Sequence, residues 1–293
     1  MAKILRTATC QFPVEASLQK NLKHILHQIA ESAEGKADVA HFSETCLTGY
    51  PGSDIPDLTV IDREELMDAM HQILAAAKKH KIWTLLGSSH FLTGNHKAHN
   101  SVYVIDPKGK IVDRYDKRFC TGVSGKKPTF DLCHYAPGNH NTIFKIKGIT
   151  CAVLICYDFR FPELYRELKK QGVQVIFQSF HNARKTVVDD PSYNIWKTIV
   201  PATMACRAAE NSFWISSNNS QARRSCWASF VVQPDGEITG QLKLHKAQVL
   251  FTDMDVGKEY FDPAKPWRER AMSGVLHSGE LLTDPRSTDR TCI

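Results

Sequence analysis

The sequence predicts an α/β fold built as a four-layer αββα sandwich of two related halves. Strand-like and helix-like segments alternate along the 293 residues, and the second half repeats the order of the first. Two hairpin segments are also alike: Val104-Ile105-Asp106-Pro107-Lys108-Gly109-Lys110-Ile111 and Val231-Val232-Gln233-Pro234-Asp235-Gly236-Glu237-Ile238. Alternating strands and helices need helix cover on each sheet, which gives helix–sheet–sheet–helix with the loops that carry chemistry at one end.

Lys3 to Gln11 reads as a first strand. Ser17 then caps a helix whose Leu22, Ile25, Leu26 and Ile29 keep the helical period, and Gly35 stops it. Ala37 to Phe42 is a strand leading to Glu44. Asp62-Arg63-Glu64-Glu65 forms a capping box for a helix through Leu66, Met70, Ile73, Leu74 and Ala77. Ile82 to Ser88 is a strand, and Asn100 to Ile105 pairs with Lys110 to Tyr115 across Pro107-Lys108-Gly109. In the second half, Thr142 to Ile146 and Thr150 to Cys156 are strands, and a helix runs from Pro162 to near Gly172. Val173 to Ser179 is a strand, Ser192 to Glu210 a helix kinked at Pro201, and Phe213 to Ser217 a strand. Cys226 to Gln233 completes the set as a strand entering the turn at Pro234-Asp235-Gly236.

Composition narrows the function classes. Apolar content of 42% and charged content of 23% suit a water-soluble globular chain. No run approaches the ~18 apolar residues of a membrane span, and the charged N-terminal stretch has no signal-peptide core. The net charge of +6 is scattered. Arg223-Arg224 and Lys126-Lys127 read as solvated loops, so no nucleic-acid partner is expected. The nine cysteines include no C-x-x-C and several sit in apolar runs, pointing to a reducing, cytoplasmic setting. The pairs His24/His27 and His96/His99 lack converging cysteines, so no metal site is expected; the terminus around Cys292 does not match a prenylation box.

Three segments end in groups that amide hydrolysis needs. His41-Phe42-Ser43-Glu44 ends in a carboxylate, Asp113-Arg114-Tyr115-Asp116-Lys117 in an ammonium, and the strand Cys151 to Ile155 runs into the thiol of Cys156. At strand exits the side chain is held by the sheet yet projects past it. Cys156 is alternatively one more core cysteine. On a strand-to-helix elbow, however, the helix end would favour its thiolate. A free thiol with a pKa of roughly 8.5 needs a base near neutral pH; no histidine has an obvious placement, and a desolvated Glu44 would serve.

At these residues the chain resembles the nitrilase superfamily of carbon–nitrogen hydrolases, over roughly residues 3 to 255. The likeness rests on Glu44 followed by Leu47-Thr48-Gly49-Tyr50-Pro51, on Tyr115-Asp116-Lys117, and on Arg207-Ala208-Ala209-Glu210-Asn211. Its most specific part is Cys156-Tyr157-Asp158-Phe159-Arg160-Phe161-Pro162-Glu163-Leu164. The resemblance implies a Glu44–Lys117–Cys156 triad, no cofactor, and a homodimer or larger oligomer. It implies that Glu44 takes the thiol proton, Cys156 attacks, and Lys117 with the Tyr157 backbone N–H stabilises the oxyanion.

Many members carry a second glutamate where this chain has Asp131, before Pro137-Gly138. Asp131 either positions Lys117 or substrate, or caps a loop. Cys-Tyr-Asp resembles the amidase and carbamoylase branches, so a small linear amide or N-carbamoyl amine is the expected substrate, with release of ammonia. Nitrile hydrolysis, acyl transfer to an amine, and a non-catalytic scaffold are the rival readings. Candidate substrate contacts are Tyr50, Asp131, Tyr157, Arg160 and His181. Arg160 binds a carboxylate or else pairs with Asp158 or Glu163 to hold the elbow, and Trp196 reads as helix packing. Residues 1–255 form the hydrolase domain; 256–293, rich in proline and charge, form an irregular tail that covers a neighbour or stays mobile.

Overall fold

The structure is a computed structural model that describes residues 3–182, 191–222 and 225–291, with the side chains of 191–194 left aside. Arg223-Arg224 and Cys292 lie outside the described residues. The chain divides into a unit Met1–Phe261 and a second unit Asp262–Ile293.

The first unit begins with β1 (Ile4–Gln11), α1 (Leu18–Glu34), β2 (Val39–His41), α2 (Arg63–His80), β3 (Trp83–His90), β4 (His99–Ile105) and β5 (Ile111–Asp116). A one-turn helix α3 (Asp131–His134) precedes β6 (Ile143–Ile146), β7 (Ile149–Ile155), α4 (Pro162–Lys170), β8 (Val175–Phe180) and α5 (Pro191–Asn211). Then come β9 (Trp214–Asn219), β10 (Phe230–Val232), β11 (Ile238–Gln241) and β12 (Gln248–Asp255). Strand order is β12-β1-β2-β3-β4-β5 in one sheet and β6-β7-β8-β9-β10-β11 in the other.

These orders show the internal repeat directly. In each sheet three neighbouring strands run parallel, β1-β2-β3 and β7-β8-β9. One antiparallel strand flanks them on one side, β12 or β6, and an antiparallel hairpin on the other. The two hairpins even share a bulge, between Val104 and Ile105 in one and Val231 and Val232 in the other. Gly109 and Gly236 occupy the turns at φ 73° and 94°, a region that glycine enters without steric cost. The hairpin likeness read from sequence is therefore a structural equivalence.

Residue alternation sorts the layers. On β2, Val39 joins an inter-sheet core with Leu5, Leu85, Val153 and Phe177. Its neighbour Ala40 joins the core under α1 and α2, with Ile25, Ile29, Met70 and Ile73. On the other side Leu164 and Leu168 of α4 and Met204 and Ala208 of α5 cover the second sheet. The predicted αββα sandwich is what forms.

Ser17 caps α1 by accepting from the Lys20 N–H, and Asp62 caps α2 by accepting from the Glu64 and Glu65 N–H groups. Gly35 stops α1 for a packing reason: a Cβ there would lie 2.2 Å from the Phe251 ring of β12. Two local expectations change. Strand β12 closes the first sheet although the sequence reading placed no strand there. Cys226 to Ser229 is not strand, since β10 begins at Phe230. Helix α5 contains Pro201, as the sequence reading of one helix over this stretch expected. The first unit runs on past residue 255: the Tyr260 ring packs edge-on against Trp214 at 5.6 Å, and its hydroxyl donates to the Asp255 carbonyl.

The second unit holds two short helices, α6 (Arg268–Met272) and α7 (Pro285–Thr288), with Arg268 paired to Asp262. No helix among the described residues is long and apolar enough to cross a membrane.

Candidate active site

Glu44 lies just past β2, in a segment laid across β3: the Leu47 N–H donates to the Gly87 carbonyl. Gly87 makes that approach possible, since a Cβ there would stand 2.1 Å from the Ser43 carbonyl oxygen and 2.7 Å from the Thr45 nitrogen. The Glu44 N–H donates across to the Phe180 carbonyl of the other sheet, at 3.3 Å. Glu44 is fully buried. Its Oε1 accepts from Asn100 Nδ2 at 2.7 Å and from Lys117 Nζ at 2.8 Å, and its Oε2 has no hydrogen-bond partner among the described residues.

Lys117 leaves the end of β5, and its backbone N–H donates to the Asn100 carbonyl. Its Nζ also donates to Asp131 Oδ2 at 2.7 Å. Burial alone would lower the Lys117 ammonium; Asp131 and then Glu44 hold it well above its ordinary value. Burial would raise the Asp131 carboxyl, but Lys117, with the hydrogen bonds from Tyr50 and the Thr121 N–H, outweighs it and keeps the carboxyl below its usual range. The shorter carboxylate reaches because α3 begins at Asp131 and the Thr121 N–H donates to it at 3.0 Å. Tyr50 donates its hydroxyl to Asp131 Oδ1. Asp131 therefore holds both Lys117 and its own loop.

Cys156 begins a 3-10 turn, Cys156–Arg160, that intervenes between β7 and α4. It adopts φ 41°, a left-handed conformation that a non-glycine residue keeps only where its surroundings enforce it. Asp158 supplies the enforcement. Its Oδ2 accepts from the Ile155 N–H at 3.0 Å and the Tyr115 hydroxyl at 2.8 Å, and its Oδ1 from the Phe119 N–H at 2.9 Å. Burial pushes the Cys156 thiol well up, with Glu44 adding and Lys117 opposing. The expected lowering by a helix end is overridden, because the intervening turn separates the thiol from α4 and burial dominates.

The remaining candidates separate. Tyr50, Tyr157 and His181 line a cavity of about 690 Å³ together with Cys156. His181 stacks on Tyr50 with 5.0 Å between ring centres, and its Nε2 lies 3.1 Å from Asp54 Oδ2. Burial would lower the imidazole, yet Asp54 raises it above its ordinary value. Arg160 is exposed and lies over the rings of Trp196, at 4.6 Å, and Phe159, at 5.2 Å. It is not among the cavity's lining residues, and Asp158 spends its oxygens elsewhere. Trp196 packs on Phe159 and also lines the cavity.

Sequence reasoning missed Asn100, Asp54 and Trp227. Asn100 sits opposite Lys117 once the β4–β5 register, Ser101 against Asp116, is extended by one residue, and that register is set by a bulge which the sequence does not signal. Asp54 and Trp227 lie in irregular segments with no periodic signal.

A family model described as carbon-nitrogen hydrolase matches residues 6–260. The chain is 28% identical over 210 residues to a 2-oxoglutaramate amidase of Bacillus subtilis, spanning 72% of this chain and 70% of that protein. It is 24% identical over 271 residues to a deaminated glutathione amidase of Dictyostelium discoideum, spanning 87% and 89%. An amidase from Nesterenkonia AN1, described as from the nitrilase superfamily, matches in fold with TM-score 0.70 at 20% identity, over 86% of this chain and 90% of that one. A glutamate-to-leucine mutant of that amidase, with the acetamide moiety of fluoroacetamide added covalently at its active-site cysteine, gives TM-score 0.74 at 21% identity over 93% and 97%. The resemblance read from the sequence motifs holds.

Proposed function

The chain belongs to the carbon–nitrogen hydrolase family, and on that premise we propose that it is an amidase that hydrolyses a linear amide through a Cys156 thioester and releases ammonia. The observation that carries this reading is the buried Glu44–Lys117–Asp131 cluster set against a thiol on a strained turn at a cavity wall. The names of the two relatives favour an amide over an N-carbamoyl amine.

The resting thiol is protonated, because burial and the neighbouring carboxylates disfavour the thiolate. The proton must therefore leave as attack proceeds, and Glu44 Oε2, buried without a partner among the described residues, is the atom to receive it. Cys156 Sγ bonds to the amide carbon while the carbonyl π electrons move to oxygen. Lys117 has three N–H donors, of which Glu44 and Asp131 take two; the third, with the Tyr157 backbone N–H, meets the oxyanion. On collapse the C–N bond breaks and Glu44 returns its proton to the leaving nitrogen. Glu44 then deprotonates a water that attacks the thioester, and the thiol is regenerated as the acid leaves.

Incubation with a panel of amides, N-carbamoyl amines and nitriles tests the reading, with ammonia release and intact mass followed and Cys156→Ala as control. Ammonia release lost in the variant, with an acyl adduct on Cys156, is expected. Silence across the panel, together with a Cys156 inert to small electrophiles, would sink it.

A further inference from the structure

The cavity beside Cys156, about 690 Å³, is far larger than the amide group under attack requires; sites for whole drug-sized ligands run from about 300 to 1,000 Å³. One wall is a continuous aromatic surface. Phe180 packs edge-on against Phe159, with 5.8 Å between ring centres, and against Trp227, with 5.6 Å. Phe159 meets Trp196 in the same way at 5.9 Å. Such a wall offers apolar area and edge-to-face partners for a further ring.

Charge at the site is already committed. The lining residues, among those described, include no lysine or arginine. Among them His181 is the one ionisable cation, and Asp54 stands 3.1 Å from its Nε2. Lys117 is shared between Glu44 and Asp131. At the site, among the described residues, the four carboxylates of Glu44, Asp131, Asp54 and Asp158 thus stand against the two cations Lys117 and His181, and a carboxylate on the substrate would add a further negative charge with no unmatched partner there. One neutral polar group is left over: Trp227 lines the cavity, is 4% exposed, and its Nε1–H is buried without a hydrogen-bond partner among the described residues. A buried donor left unpaired costs free energy that a ligand acceptor restores.

We infer that the site takes an uncharged amide with an aromatic acyl group bearing a neutral hydrogen-bond acceptor, the ring packing on the Phe159–Phe180–Trp227 wall and the acceptor meeting Trp227 Nε1–H. This rests on the amidase reading and specifies its substrate class. The ring supplies affinity through burial, the Trp227 donor selects the acceptor, and the charge balance among the described residues disfavours a carboxylate.

Three arylacetamides of similar shape test it by calorimetry on the Cys156→Ala protein, which keeps the cavity but cannot turn over. They carry a 4-methoxy, a 4-ethyl or a 4-carboxylate group. The methoxy compound should bind tightest, the ethyl compound about tenfold weaker for want of one neutral hydrogen bond, and the carboxylate at least about 100-fold weaker. Adding Trp227→Phe should abolish the methoxy-over-ethyl preference, whereas Trp227→His, which keeps a ring N–H, should retain it. A carboxylate bound as tightly as the methoxy compound, or no binding of any of the three, overturns the substrate class. A preference that persists in Trp227→Phe, or is lost equally in both substitutions, overturns the role of the indole N–H. The amidase reading fails separately, if the wild-type protein binds the methoxy amide yet releases no ammonia from it.

Discussion

The Tyr115 hydroxyl donates to Asp158 Oδ2 at 2.8 Å, tying the strand that delivers Lys117 to the turn that delivers Cys156. Tyr115 lies on β5 of one sheet and Asp158 in the turn that follows β7 of the other, and each stands two positions from the group it serves. The Phe119 N–H, on the far side of Lys117, reaches the same carboxylate at 2.9 Å. Asp158 thus fixes the ammonium and the thiol relative to each other without being placed to react.

Tyr115→Phe removes that one bond and keeps the ring in the inter-sheet core. Misplacement of reacting groups by about 1 Å costs about 100-fold in rate, so kcat should fall by about 10- to 100-fold with KM little changed. Asp158→Asn should fall further, because its amide would face the Phe119 or Ile155 N–H with a donor. Steady-state kinetics on both variants checks this. A Tyr115→Phe enzyme with wild-type kcat would remove the tether from the mechanism.

Gly87→Ala should damage the site from beneath. The added methyl would meet the Ser43 carbonyl at 2.1 Å and the Thr45 nitrogen at 2.7 Å, so the backbone on both sides of Glu44 must lift. Overpacking of this kind costs about 1–3 kcal/mol of stability, and the displaced carboxylate should lower kcat by about 100-fold. Denaturant unfolding and kinetics read the two effects separately. Retained activity would mean that the segment carrying Glu44 tolerates a shift.

The legible parts of the molecule were those with periodic or motif signals. The helices announced themselves through Ser17, Asp62 and their apolar stripes, and the repeat through its two Pro-x-Gly hairpins. The candidate triad was visible because Glu44 and Cys156 each follow an apolar strand run, and Lys117 follows Tyr115-Asp116 at the end of a third strand. Residues that act through register were not. Asn100 stands opposite Lys117 because the Val104/Ile105 bulge advances the pairing by one, placing Ser101 rather than Asn100 opposite Asp116. Strand β12 was hidden because it pairs with β1 from the far end of the chain, as Ile4 against Asp255 shows.

His41 and Asp158 should pull stability in opposite directions with pH. His41 lies between the sheets, its ring nitrogens 2.8 Å from Ser216 Oγ and 3.0 Å from Ser179 Oγ, and burial lowers it from 6.5 to about 3. Between those values the unfolded chain binds the proton and the folded one does not, so His41 removes about 1.4 kcal/mol per pH unit as pH falls below 6.5. Burial raises Asp158 from 3.8 to about 6, so there the folded state holds the extra proton and stability grows as pH falls through that window. From about 6 down to about 4 the two slopes oppose each other. Relative to wild type, His41→Gln should gain stability as pH falls below 6.5, and Asp158→Asn should lose it from about 6 downwards. Urea unfolding from pH 4 to pH 7 measures both differences, and two flat difference curves would show that neither group is held as the structure implies.

Asp131→Asn tests whether the shorter acid governs Lys117. Asp131 is the largest of the influences that raise the lysine against its burial, ahead of Glu44. Asparagine keeps the size and can still accept from Lys117, but removes the charge, so the Lys117 ammonium should lose its proton at lower pH. The alkaline limb of the kcat profile should move toward neutrality, a change that a purely structural role for Asp131 would not produce. The maximal rate should fall by less than the about 100- to 1,000-fold that losing one preorganised oxyanion donor outright costs, because Lys117 keeps its N–H groups. Asp131→Glu restores the charge with one more methylene and should return the alkaline limb to its wild-type position, even if crowding against Tyr50 leaves kcat reduced. An alkaline limb that stays in place in Asp131→Asn would show that Glu44 alone holds the ammonium, and that Asp131 serves the loop through its bond from the Thr121 N–H.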